Sequence, residues 1–141
     1  MRRQAAIAVL TFTLATGGAR AGDDALEAGK AEFVAHCASC HGEDAKGDGP
    51  HAVVLAKKPA DLTEITARYG SFPAERVFET IAGLDDSGAH GTREMPIWGD
   101  VFVSEAVGKS VKLEDAMKAS DEATRRIVNL VTYIESIQDQ P

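Results

Sequence analysis

Cysteine is scarce in this chain: 141 residues contain two, Cys37 and Cys40. So close a pair cannot build a framework of several disulfides, which excludes a small stapled scaffold. Aromatic residues are also few, at 6% of the chain with a single tryptophan. Basic residues are outnumbered 15 to 22 by acidic ones, for a net charge of −7. That balance argues against nucleic acid and anionic membrane surfaces as partners. Arrangements typical of a catalytic serine, a carboxylate-bound metal or a phosphate loop are missing, so the residues suggest no independent enzyme site.

What is present begins with an export signal. Met1, Arg2 and Arg3 give a positive start, Ala5 to Gly18 a 14-residue apolar run, and Ala19-Arg20-Ala21 a cleavage site. The run is shorter than the 18 or more residues of a spanning helix, and no later segment reaches that length, so the mature chain is not expected to insert stably in a membrane. We therefore expect residues 1–21 to be removed after Ala21 and residues 22–141 to form one periplasmic domain. Losing Arg2, Arg3 and Arg20 leaves 12 basic residues against 22 acidic ones, a net charge of −10. A protein so charged suits partners with a basic docking patch.

In an exported chain, Cys37-Ala38-Ser39-Cys40-His41 reads as covalent attachment of a c-type haem. The two thiols add to the haem vinyl groups as thioethers, and the two-residue gap lets one helical turn present both sulfurs. His41 follows at once, placed to ligate iron from one side. Three other readings compete. A disulfide across so tight a loop would stabilise little, no βαβ pattern suggests a thioredoxin-like pair, and zinc would need a second ligand cluster.

For the sixth ligand the candidates are Met95 and His90. Met95 precedes Pro96 in a loop, which biases it to an extended backbone. His/Met ligation closes the iron site and raises the reduction potential. His90 lies on the same approach and keeps bis-histidine ligation open. Met117, with Leu113 four residues before it, reads as packing. His36 and His51 read as surface residues, as do Lys57, Lys58 and Arg93, unless those three cations meet haem propionates or a docking partner. Trp98 is either a core aromatic or a ring that packs on the porphyrin or donates its N–H to a propionate.

Helical pieces surround these motifs. Asp24 to Glu27 resembles a capping box, and Leu26, Gly29, Phe33 and Cys37 follow on one stripe. Gly29 inside a helix costs about 1 kcal/mol against alanine, which calls for close approach by another helix. Residues 42–59 read as a glycine- and proline-punctuated loop, from which a carbonyl can accept the second imidazole N–H of His41. A short helical piece ends near Tyr69-Gly70. Pro73 to Ala82 reads as a helix capped by Ser71 and stopped by Gly83. Residues 85–94 read as a loop. Within 100–119, only 114–118 has helical character, and 108–112 looks like an exposed excursion. A last helix starts at the cap Ser120-Asp121-Glu122, with Ile127, Leu130, Ile134 and Ile137 in helical register.

Taken in order, Cys37 to His41, Gly47-Asp48-Gly49-Pro50 and Met95-Pro96 make the chain resemble the class I c-type cytochromes of bacteria. The likeness covers nearly all of the mature chain. It implies an all-α domain whose N- and C-terminal helices cross beside one covalently bound haem c. It matches Gly29, Phe33 and Tyr133 to the small and aromatic positions of that crossing, and it implies Pro50 as the residue whose carbonyl holds His41. With the readings above, the expected cofactor-binding set is Cys37, Cys40, His41, Pro50, Met95 and Trp98, with His41 and Met95 on the metal. The segment from Leu62 through Phe102 looks like a branch that accompanies respiratory or sulfur-compound oxidation. The role implied is one-electron transfer between periplasmic redox partners. The alternatives are an electron-accepting subunit of a dehydrogenase and an open-site haem sensor.

Overall fold

Gly29 and Phe33 lie on the face of the first helix that meets the last one, and this contact organises the domain. The structure, a computed structural model, describes residues 21–84 and 96–139. Among them the chain is all-helical, with no strand: α1 (Ala21–His36), α2 (Ala38–His41), a 3-10 turn at Ala52–Val54, α3 (Ile65–Tyr69), α4 (Ala74–Ala82), α5 (Trp98–Val107) and α6 (Leu113–Ser136). The proposed signal and the 85–94 loop lie outside the described residues.

The α1–α6 crossing is closest at Gly29. A Cβ there would stand 1.9 Å from the Asn129 carbonyl oxygen and 2.9 Å from Tyr133 Cβ. Only hydrogen fits, which is the packing reason a mid-helix glycine calls for. One turn on, the Phe33 and Tyr133 rings meet at a centroid distance of 5.3 Å, within the range of a favourable aromatic pair. Among the described residues Phe33, Phe102 and Leu130 are the largest fully buried side chains, joined in one core by Ile81, Ile127 and Ile134. All the described α-helices border this core or the cysteine turn. The α3 helix is tied in by Ile65, buried in the same cluster.

Several expected boundaries move. The first helix begins at Ala21, so Asp23 and Asp24 lie in its first turn, where carboxylates suit the helix dipole. Pro73, not Ser71, occupies the N-cap position of α4, while Gly83 stops it in the left-handed region as expected. Residues 98–107 form a full helix, in a stretch where the run Val101-Phe102-Val103 gives no clear helical period. The last helix starts at Leu113, seven residues before the expected cap at Ser120. Ala116, Ala119 and Ala123 carry it through, alanine being the best helix former. Its first turns extend past the core. Met117 is 63% exposed and Leu113 77% exposed, so Met117 is not a packing residue: the first buried position in α6 is Ala119.

Candidate haem-attachment site

The cysteine turn is built from the backbone outward. The Cys37 amide bonds the Phe33 carbonyl at 2.8 Å, so α1 leads directly into the motif. The Cys37 carbonyl then receives both the Cys40 amide (3.1 Å) and the His41 amide (2.9 Å). Both sulfurs and the imidazole thus hang from one tight turn. Both cysteines are free thiols, with Cys37 buried and Cys40 half-buried. Burial pushes the Cys37 thiol up to about 12, reinforced by Glu32 and Cys40. It therefore sits in the apolar core as a neutral side chain.

Three carbonyls at the end of this turn would otherwise lack partners. The glycine loop folds back and supplies them: Gly47 N–H donates to His41 O (2.7 Å), Gly49 to Cys40 O (3.1 Å) and His51 to Ser39 O (2.8 Å). The approach is tight enough to require glycine. A Cβ on Gly49 would lie 2.6 Å from the Ala38 and Ser39 carbonyl oxygens. Gly47 has φ +76°, and a Cβ there would stand 2.2 Å from Pro59 O. The second contact brings the Pro59-Ala60 segment of the loop against the turn.

Ala60, in consequence, is the residue that holds His41. His41 Nδ1 lies 3.0 Å from the Ala60 carbonyl. A carbonyl only accepts, so Nδ1 carries the proton and Nε2 keeps its lone pair. The ring is buried, and burial lowers its pKa, partly offset by the Ala60 bond. A neutral imidazole oriented through its second nitrogen is the form that ligates metal. The Pro50 carbonyl does not take this role: Pro50 is exposed in the turn, because the loop reaches the ring with its far limb.

That far limb is anchored to the end of α6. Gln138 Nε2 donates to Leu62 O and to Ile134 O, each at 2.7 Å. Its Oε1 accepts the Thr66 amide at 2.8 Å, and the Asp139 amide donates to Thr63 O at 2.9 Å. The limb that carries the Ala60 carbonyl is thus tied, through Leu62 and Thr63, to the opposite end of the chain.

Trp98 opens α5 and packs against His36, the residue before Cys37, with centroids 5.1 Å apart. His36 is not the surface residue its place in the sequence suggested. It is half-buried between Trp98 and Phe102, with the Glu32 and Arg126 side chains at its Nε2. Trp98 Nε1 is buried and has no acceptor among the described residues. Leaving a buried donor unpaired costs roughly 1–3 kcal/mol. An unspent N–H beside the cysteine turn fits a haem, whose polar groups would accept it. His51, Lys57 and Lys58 are exposed. Met95, His90 and Arg93 lie outside the described residues.

Sequence reasoning singles out the two cysteines, His41 and Trp98, and the fold gathers these four at one end of α1. It missed Ala60, Gln138, Phe102 and Arg126. Among the described residues no group of three or more His, Cys, Asp or Glu side chains forms another metal site, and no helix is long and apolar enough to cross a membrane.

In a comparison with known families the chain matches the model described as Cytochrome c over residues 26–138. No curated protein and no solved structure matches the chain. The match takes in the cysteine turn, the Ala60 limb, Trp98 and the end of α6. The chain belongs to the cytochrome c family, and with it to proteins that carry haem c and transfer electrons.

Proposed function

We propose that the mature chain is a periplasmic class I cytochrome carrying one haem c, which passes single electrons between redox proteins. The observation that carries this reading is the buried His41, held with Nδ1 on the Ala60 carbonyl and its other nitrogen free to ligate. Bound haem supplies the one-electron couple.

The chain's own residues do the rest. Cys37 and Cys40 provide the two thioether links from one turn. Ala60 keeps the His41 ring in a single orientation and tautomer, which limits reorganisation around the iron. Met95 is our choice for the second ligand, since a thioether would close the site and favour ferrous iron. A closed iron site passes electrons and excludes substrate, so we assign no catalysis.

Residues 1–21 are proposed as the removed signal, which leaves the net charge of −10. Partners with a basic docking patch follow from that charge, and such encounters accelerate at low salt.

Spectra of the purified protein in both oxidation states test the proposal. We expect one haem c per chain, a near-infrared sulfur-to-iron band in the ferric form, and no carbon monoxide binding by the ferrous form. Rapid carbon monoxide binding without that band would replace this reading with an open-site haem protein.

A further inference from the structure

Arg126 is a charged residue near the middle of α6 whose place in the pattern suggests ordinary surface. Its side chain is only 15% exposed, and it joins three helices. Nε and Nη2 form a fork on Glu32 of α1, each bond 2.7 Å. Nη1 reaches Glu105 of α5 at 2.7 Å. Nη2 also donates to His36 Nε2 at 3.2 Å, and the guanidinium lies 3.8 Å from the centre of the Phe102 ring.

The two rings that Arg126 touches are the two that hold Trp98. His36 meets the indole at 5.1 Å and 62°, and Phe102 at 5.7 Å and 36°. His36 and Phe102 also contact each other, at 5.4 Å. One guanidinium thus fixes both walls of the indole from behind, by a hydrogen bond on one side and a cation–π contact on the other. The indole Nε1–H itself is buried without an acceptor among the described residues. A planar fork suits this task better than a flexible ammonium, because its geometry is preset.

We propose that Arg126 is a positioning residue that acts through His36 and Phe102 to hold the Trp98 N–H toward the haem. The proposal rests on the haem reading above. It assigns Arg126 an effect on the reduction potential that is relayed by the indole and not by its charge. A donor aimed at negative charge near the iron favours the ferrous form, so loosening it lowers the potential.

The test uses the haem-loaded full chain and its single indole N–H resonance, Trp98 being the only tryptophan. Arg126→Lys keeps the charge and loses the fork. We expect its indole proton to exchange at least about tenfold faster than in the unsubstituted protein, with a lowered potential. In a Trp98→Phe background, Arg126→Lys is expected to leave the potential where Trp98→Phe alone puts it, the signature of one coupled pathway. Phe102→Leu removes one wall without altering charge and is expected to speed indole exchange in the same way. Unchanged indole exchange in Arg126→Lys and Phe102→Leu would overturn the proposal. So would an equal fall in potential with phenylalanine at 98. A chain that takes up no haem c would instead refute the function proposed above, before any of these variants is compared.

Discussion

The Ala60 carbonyl meets His41 Nδ1 at 3.0 Å across nineteen residues of chain. Because an acceptor fixes the tautomer, this one bond decides which nitrogen His41 offers. The ring's burial works in the same direction by keeping the proton off the second nitrogen.

A pH dependence follows. The His41 pKa is lowered on folding from its ordinary 6.5, with burial as the main cause. The unfolded chain therefore binds a proton that the folded chain refuses. His41 thus contributes stability above about pH 6.5 that is lost as pH falls from there toward the lowered value, at a slope no steeper than about 1.4 kcal/mol per pH unit. Iron ligation adds to the effect, since metal and proton compete for Nε2. Urea midpoints measured from pH 8 to pH 5 should be level at first and then decline; a midpoint that rises on acidification would contradict the assignment.

Gly29→Ala tests the helix crossing. On helix propensity alone the change would stabilise by about 1 kcal/mol. The new Cβ, however, would stand 1.9 Å from a backbone oxygen of α6, which no rotamer change can relieve. Overpacking of this kind costs typically 1–3 kcal/mol, so the net effect is expected to be destabilising. Denaturant unfolding of the haem-loaded protein measures it, and a gain in stability would show that the helices stand further apart.

The parts of this fold that could be read from sequence are those with a side-chain signature. The stripe Ile127, Leu130, Ile134 and Ile137 marks the end of the last helix, and Gly83 marks a stop, because period and left-handed backbone leave traces in residue type. The Ala60 role leaves none, since any residue carries a carbonyl and only the fold chooses which one arrives. Pro50 is the residue that the family resemblance implies for this role, yet the loop delivers its far limb to the ring. Arg126 and Glu32 were hidden for a different reason: charges on helices are usually solvated, and 94 residues separate these two. Trp98 opened a helix that Gly99 and three valines concealed.

Gln138 offers a test of the far limb. Its amide makes three hydrogen bonds that tie Leu62, Ile134 and Thr66 together. Gln138→Ala should destabilise the protein by about 1–3 kcal/mol, the cost of leaving half-buried backbone groups unpaired. The Thr66 amide should also exchange faster, because it loses its acceptor. Hydrogen exchange read at Thr66 and at a core amide such as Leu130 separates local loosening from global unfolding. Unaltered protection at Thr66 would mean that the loop is held without Gln138.

Met95→Ala addresses the proposed sixth ligand. Alanine offers no donor atom, so the ferric protein should lose its sulfur-to-iron band and the ferrous protein should bind carbon monoxide. The potential should fall as well, because the soft thioether that favoured ferrous iron is gone. His90→Ala is the informative companion: if Met95 is the ligand, this change leaves the near-infrared band in place. The reverse pattern, a spectrum indifferent to Met95 but altered at His90, would make the iron bis-histidine. That outcome would still describe a closed electron carrier, but one of lower potential, and the class of donor able to reduce it would change accordingly.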